Sequence, residues 1–174
     1  MCGELRPEHV GARVTLAGWA ARRRDHGGLV FVDLRDRSGI TQLVINPERA
    51  PAAAELAKEI RNEFVLQAEG EVVARAADAV NPNLPTGAVE VQVDTLRIVS
   101  RSTPLPFQLD EENVDETLRL RYRWLDLRRD KLQRNIGLRA QMVGVMRRHM
   151  EAAGFIDIQT PILFKATPEG ARDF

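Results

Sequence analysis

Residues 22–39 read RRRDHGGLVFVDLRDRSG, an arginine triplet and a Gly-Gly pair running straight into an apolar stretch. Laid out as a strand, the stretch divides between two faces, because successive side chains in a strand point to opposite sides. Val30, Val32 and Leu34 fall on one face, and Leu29, Phe31, Asp33 and Arg35 on the other. Phe31 therefore shares a face with charged groups, a few residues from three arginines. An aromatic ring on a wet basic face is a platform on which an unpaired base can stack. The same ring could instead cap an open barrel end as core.

Outward from this stretch the pattern repeats. Residues 13–21 (RVTLAGWAA) read as a strand before it. After it, RDRSG is a turn whose Gly39 supplies an unusual backbone angle, and 40–45 (ITQLVI) form a third strand. PERAPAAAELAKEIRNEF is alanine-rich, and Ala53, Leu56, Ile60 and Phe64 recur at helical spacing. Residues 64–75 give a long strand, expected to bend at Gly70. DAVNPNLPTG is a loop, and 88–99 alternate cleanly, with Val89, Val91 and Val93 against Glu90 and Gln92. Five strands with a helix between the third and fourth is the plan of the OB-fold, a small Greek-key β barrel that commonly binds single-stranded nucleic acid on strands two and three. On that plan Gln42 lies on strand three and Glu90 on the polar face of strand five. Both can read a base edge, and Arg22, Arg23 and Arg24 can meet phosphates. Gly27 and Gly28 allow a close backbone approach.

Bulk properties restrict the alternatives. The 174 residues carry 25 Lys+Arg and 25 Asp+Glu, so global charge names no partner. Local charge is uneven. LDEENVDE (109–116) is acidic, whereas Arg119 to Arg134 holds Arg119, Arg121, Arg123, Arg128, Arg129, Lys131 and Arg134. Cys2 is the only cysteine, which excludes an internal disulfide and a cysteine-based zinc site, and His9, His26 and His149 show no ligand spacing. No apolar run approaches the ~20 residues of a membrane span, and no secretory signal is evident, so no membrane role and a cytoplasmic location are expected. Residues 1–100 are expected to be the barrel, 101–129 a linker or hinge, and 130–174 an α+β stub. In the stub Asp130 caps a long helix lined by Leu132, Ile136, Val143, Met146 and Met150. Gly154 ends that helix, and 155–160 (FIDIQT) form a strand before Pro161. A helix and one strand cannot bury their apolar faces alone, so the chain is expected to be part of a longer protein or to need a partner.

RRRDHGGLVFVDLRDRSG, NPNLPTG, RYRWLDLRR and TPEGARDF, in this order along nearly the whole chain, resemble the N-terminal part of bacterial-type aspartyl-tRNA synthetases. Lysyl- and asparaginyl-tRNA synthetases share the barrel-plus-catalytic plan but not TPEGARDF. The resemblance implies that the barrel grips the tRNA anticodon, with Phe31 as stacking aromatic, Gln42 and Glu90 as base readers and Arg24 as a backbone or base contact. Arg22, Arg23 and His26 are further candidates. The His26 position varies in the family and bears on whether tRNA for asparagine is accepted beside tRNA for aspartate. RYRWLDLRR resembles the hinge that touches the inside of the tRNA. The helix at 131–153 and the strand ending at Pro161 resemble motif 1 of class II synthetases, the homodimer interface. TPEGARD resembles a loop closing over aspartate, with Glu169 near its ammonium group. The parent reaction activates aspartate with ATP and Mg²⁺ and transfers it to tRNA. The ATP-binding arginines of motifs 2 and 3 belong beyond Phe174, so no catalytic residue and no bound cofactor are expected in this span, and no activity from it alone. The alternative is a stand-alone tRNA or single-strand binder built on the same barrel.

Overall fold

The computed structural model describes residues 1–163, and the chain divides after Leu105 into two units. In the first, β1 (Arg13–His26), β2 (Leu29–Asp36), β3 (Gly39–Ile45), β4 (Val65–Ala74) and β5 (Val89–Ser100) close into a barrel in the order β1-β2-β3-β5-β4. All neighbours are antiparallel except β3 and β5, which meet in parallel at Leu43↔Val91 and Val44↔Gln92. Closure removes the free sheet edges that would otherwise invite pairing with another chain.

The alternation visible in the sequence decides what faces inward. Val30, Val32 and Leu34 of β2, Leu43 and Ile45 of β3, and Val89, Val91 and Val93 of β5 are buried in one core with Leu16, Ala20, Leu66, Ala68 and Val72. α1 (Pro51–Glu59) supplies Ala53, Ala54 and Ala57 to the same core. It begins on a proline, whose missing N–H costs nothing in the first turn. It is shorter than the apolar spacing suggested. Ile60 and Phe64 are buried at 1% and 5% exposure, but they pack from the loop after the helix. Their burial there is fixed by Glu63, which takes a positive φ of 66° and pairs with Arg35 through both oxygens at 2.7 and 2.8 Å.

Two glycine sites follow from sterics. At Gly70 a Cβ would stand 2.1 Å from the Gln92 carbonyl oxygen, and the β4–β5 register shifts at this point, so the expected bend is a bulge. Gly27 and Gly28 differ from expectation. Their φ values of 60° and 85° make the two-residue turn of the β1–β2 hairpin, and nothing lies within 4 Å of a Cβ there. They answer the handedness of the hairpin turn rather than any close approach. At the other end of β2, the Asp36 carboxylate accepts from the Ser38 N–H and from the Cys2 N–H. This docks the N-terminus on the β2–β3 turn. Burial pushes the Cys2 thiol up to about 12, with Asp36 adding to the effect, so Cys2 is not a thiolate at neutral pH.

The second unit contains α2 (Glu116–Arg121), α3 (Arg123–Asp126) and α4 (Asp130–Ala152). Asp115 caps α2 by accepting from the Leu118 N–H at 3.2 Å, giving part of the acidic run a structural task. Asp130 does not cap α4. It is the first helical residue, where its charge still suits the positive helix end, and Arg129 holds the cap position. Gly154 behaves as expected. With φ 86° it closes α4 through Gly154 N–H to Glu151 O and Phe155 N–H to Met150 O, both 3.0 Å. Residues 155–160 form no strand. A strand exists only against a hydrogen-bonding neighbour, and no described strand runs beside them. Among the described residues no helix is long and apolar enough to cross a membrane.

Candidate nucleic-acid interface

The outer faces of β2 and β3 carry the site. Cross-strand register sets Arg24 of β1 opposite Phe31, and Asp33 opposite Gln42. Opposed residues share a face, so the four project to the same side. Phe31 is half-buried there, while its neighbours Val30 and Val32 are 5% and 0% exposed in the core. The ring lines a cleft of about 330 Å³ with Arg24, Asp33, Gln42 and Arg75, and the loop residues Ala79, Asn81 and Leu84 wall it.

The polar groups form one bonded chain. Arg24 Nη2 donates to Asp33 Oδ1 at 2.7 Å and to Gln42 Oε1 at 3.2 Å. The Gln42 amide then donates to Glu90 Oε2 at 2.9 Å, which fixes the orientation of the amide. Arg75 Nε donates to the Val89 carbonyl at 3.0 Å and lies 3.8 Å from Glu90 Oε2. Burial raises the Glu90 carboxyl above the usual glutamate range, and the Arg75 charge and the Gln42 amide only partly offset it. Arg75 is itself 5% exposed along its side chain. Its Nη2 is buried and donates to nothing among the described residues. A buried donor without an acceptor is costly, and it becomes useful when a ligand supplies the acceptor.

The walling loop is ordered by its own bonds. Asn81 N–H reaches the Gly87 carbonyl at 3.0 Å, Asn83 N–H reaches Asn81 Oδ1 at 3.0 Å, and the Thr86 hydroxyl donates to Ile40 O at 2.6 Å. The last bond ties the loop to β3. The cleft is thus a concave pocket with an aromatic floor, two guanidiniums, one carboxylate and two side-chain amides, one of which, Gln42, is bonded to Glu90.

The remaining candidates are spread out. A bulge between Ala20 and Arg22 resets the alternation of β1. Arg22 and His26 are exposed, outside the cleft lining. Arg23 turns toward α1, where its Nε donates to the Ala57 carbonyl at 2.8 Å, and it pairs with Asp25 at 3.2 Å. Glu169 and the TPEGARDF segment lie outside the described residues. Sequence reasoning missed Arg75 and Asn81. Arg75 sits at the end of a strand, where an arginine reads as solvated surface, and the NPNLPTG stretch beside it was the available signal.

Residues 14–99 match the family model of the OB-fold nucleic acid binding domain, and 115–174 match that of class II tRNA synthetases (D, K and N). Among curated relatives, the aspartate–tRNA(Asp/Asn) ligase of Gloeobacter violaceus is 50% identical over 99% of this chain, which covers 29% of that protein. The ligase of the same name from Parvibaculum lavamentivorans is 53% identical over 99%, with 28% of its length covered. The chain thus spans less than a third of the length of these relatives. Among solved structures, the asparaginyl-tRNA synthetase of Pyrococcus horikoshii complexed with asparaginyl-adenylate superposes with a TM-score of 0.83 at 27% identity, over 98% of this chain and 38% of that one. With an OB-fold nucleic acid binding match followed by a class II tRNA synthetase match, and 50–53% identity over 99% of its own length to aspartate–tRNA(Asp/Asn) ligases, the chain is similar to a part of those ligases.

Proposed function

We propose that the barrel is the anticodon-reading module of an aspartate–tRNA ligase. The half-exposed Phe31 ring on the floor of a cleft lined by Arg24, Gln42 and Arg75 carries this reading. A ring of that kind accepts any base face, so choice among bases falls to the groups around it. The Gln42 amide offers a donor and an acceptor to a base edge, and the Glu90 carboxylate accepts from a base amino or imino group. Arg24 can turn a spare N–H outward, and Arg22 and His26 stand where phosphates of the same loop can be neutralised. Residues 1–100 are assigned to this module, 101–129 to the hinge and 130–174 to the start of the catalytic domain, with Glu169 near the bound amino acid.

Activation of aspartate with ATP and Mg²⁺, and its transfer to tRNA, are proposed for the whole ligase in the cytoplasm. Among the described residues no three carboxylate, imidazole or thiol groups converge to hold a metal. The span alone is proposed to bind tRNA without activating aspartate. A homodimer through α4 is supported by its outward apolar side chains, including Leu138, Met142, Val145 and Met146, which are 56–64% exposed.

The test is binding of labelled anticodon hairpins by fluorescence anisotropy. A tRNA(Asp) hairpin should bind, and the same hairpin with its anticodon bases replaced should bind at least tenfold more weakly, the size expected of about 1.4 kcal/mol of discrimination. Equal binding of the two would remove the anticodon reading and leave a general single-strand binder. A tRNA(Asn) hairpin in the same assay decides whether both tRNAs are accepted.

A further inference from the structure

The basic run from Arg119 to Arg134 holds a buried carboxylate at its centre. Asp126, the last residue of α3, is 0% exposed. Three guanidiniums converge on it. Arg123 Nη1 hydrogen-bonds Oδ2, Arg129 Nη1 reaches Oδ1 at 3.5 Å, and Arg119 Nη1 lies 3.9 Å from Oδ1. Arg129 is further held by the Glu111 carbonyl, to which its Nη2 donates. The Nε of Arg119 is buried and donates to nothing among the described residues. The side chains of Arg123 and Arg119 are nevertheless 48% and 32% exposed.

One negative charge against three positive ones leaves a net of about +2 by formal charge. Like charges so close together repel, and without a common anion the long arginine side chains would spread and sample many rotamers. Asp126 removes that freedom. Each guanidinium has five N–H groups in a rigid fork, so a fork engaged with Asp126 along one edge keeps others for an outside acceptor. Forks fixed in this way suit phosphate oxygens, which arginine takes in bidentate geometry.

We propose that Asp126 is a positioning residue for RNA binding: backed by the mostly buried Arg129, it holds Arg119 and Arg123 as a fixed array whose outward N–H groups take backbone phosphates of tRNA outside the anticodon loop. This rests on the tRNA reading above and adds the group that sets the geometry of the contact. Asp126 itself touches no RNA.

Charge and positioning predict opposite outcomes for Asp126→Asn. The substitution raises the net charge by one, so unspecific attraction alone would tighten RNA binding. If Asp126 positions the arginines, binding weakens. The full chain is titrated with whole tRNA(Asp) and, separately, with its anticodon hairpin, each across a range of salt, with thermal melts of every variant. For Asp126→Asn we expect whole-tRNA affinity to fall by about threefold or more, a coupling within the range for directly contacting residues. The salt slope should fall by about one ion or more, and hairpin affinity should stay at the wild-type value. Whole-tRNA binding that is unchanged or tighter overturns the proposal, as does equal weakening for both RNAs, which marks a purely structural role. If the Asn variant does not fold, Asp126→Glu keeps the charge and displaces it by one methylene. Intermediate whole-tRNA affinity supports the proposal, and wild-type affinity overturns it. Wild-type protein that binds neither RNA would sink the anticodon reading and this inference together, whereas normal wild-type binding with an unaffected Asn variant sinks this inference alone.

Discussion

Replacing Phe31 by alanine separates the two tasks an aromatic residue can have on a barrel. As a stacking floor, its loss should weaken anticodon-hairpin binding by about 1–3 kcal/mol, roughly 5- to 150-fold in Kd. The folding cost is bounded by its position. Complete burial of a phenylalanine is worth about 1.5–3 kcal/mol, and Phe31 is half-buried beside a fully buried Val32. Its removal should therefore cost about 1 kcal/mol and lower the melting temperature by only several degrees. Because the ring is neutral, the slope of log Kd against log salt should not change. Phe31→Tyr, which keeps the ring, should bind within about twofold of wild type. The assay is anisotropy titration of a labelled hairpin at several salt concentrations, with a thermal melt of each variant. Unchanged Kd for Phe31→Ala would refute the stacking role. A drop in melting temperature well beyond 10 °C, about 2 kcal/mol for a barrel of this size, would show the ring to be core.

The raised Glu90 carboxyl gives a signed pH effect. A carboxyl raised on folding favours stability below its unfolded pKa, and that contribution is lost as pH rises through the raised value. Glu90→Gln should therefore melt higher than wild type at neutral pH, yet bind the hairpin more weakly. Wild-type affinity should fall on acidification into the Glu90 titration, and the Gln variant should lose that dependence; parallel pH profiles would refute the acceptor role. Arg22→Ala should lower the salt slope by about one, whereas Arg23→Ala should leave the slope alone and lower the melting temperature through loss of its bond to Ala57 O. The reverse pattern would mean that the two arginines were assigned to the wrong faces. Gly70→Ala should destabilise the barrel by about 1–3 kcal/mol or more in chemical denaturation, because its Cβ would stand 2.1 Å from Gln92 O. A neutral result would mean that the β4–β5 bulge yields freely.

The barrel was readable because a strand with one wet face writes its orientation as alternation. Val30/Phe31/Val32/Asp33 and Val89/Glu90/Val91/Gln92 each assign two faces without coordinates. Phe31, Gln42 and Glu90 could be grouped in advance because alternation puts each of them on the face of its strand opposite the buried valines and leucines. What stayed hidden depended on contacts between distant segments. The bulge after Ala20 decides which of Arg23 and Arg24 turns toward α1 and which toward the cleft, and a run of three identical residues carries no trace of it. Arg75 is buried by a loop whose path no local pattern fixes. The apolar spacing of 53–64 suggested more helix than forms, since burial of Ile60 and Phe64 can be met by a loop as well as by a helical face. Nothing local in LDLRR marks Asp126 as buried, because its burial depends on arginines gathered from three and seven positions away.

In the barrel, Arg24, Asp33, Gln42 and Glu90 already satisfy much of one another. On the proposed anticodon reading, an incoming base exchanges existing bonds for new ones, and the net gain from a correct match is small. A mismatched base breaks the same bonds and returns nothing, so the loss is larger than the gain. Such a lattice is poor at holding on and good at refusing. It follows that tenacity must come from stacking and from charge elsewhere on the molecule, and that strengthening any single reader would be expected to erode fidelity before it improved grip.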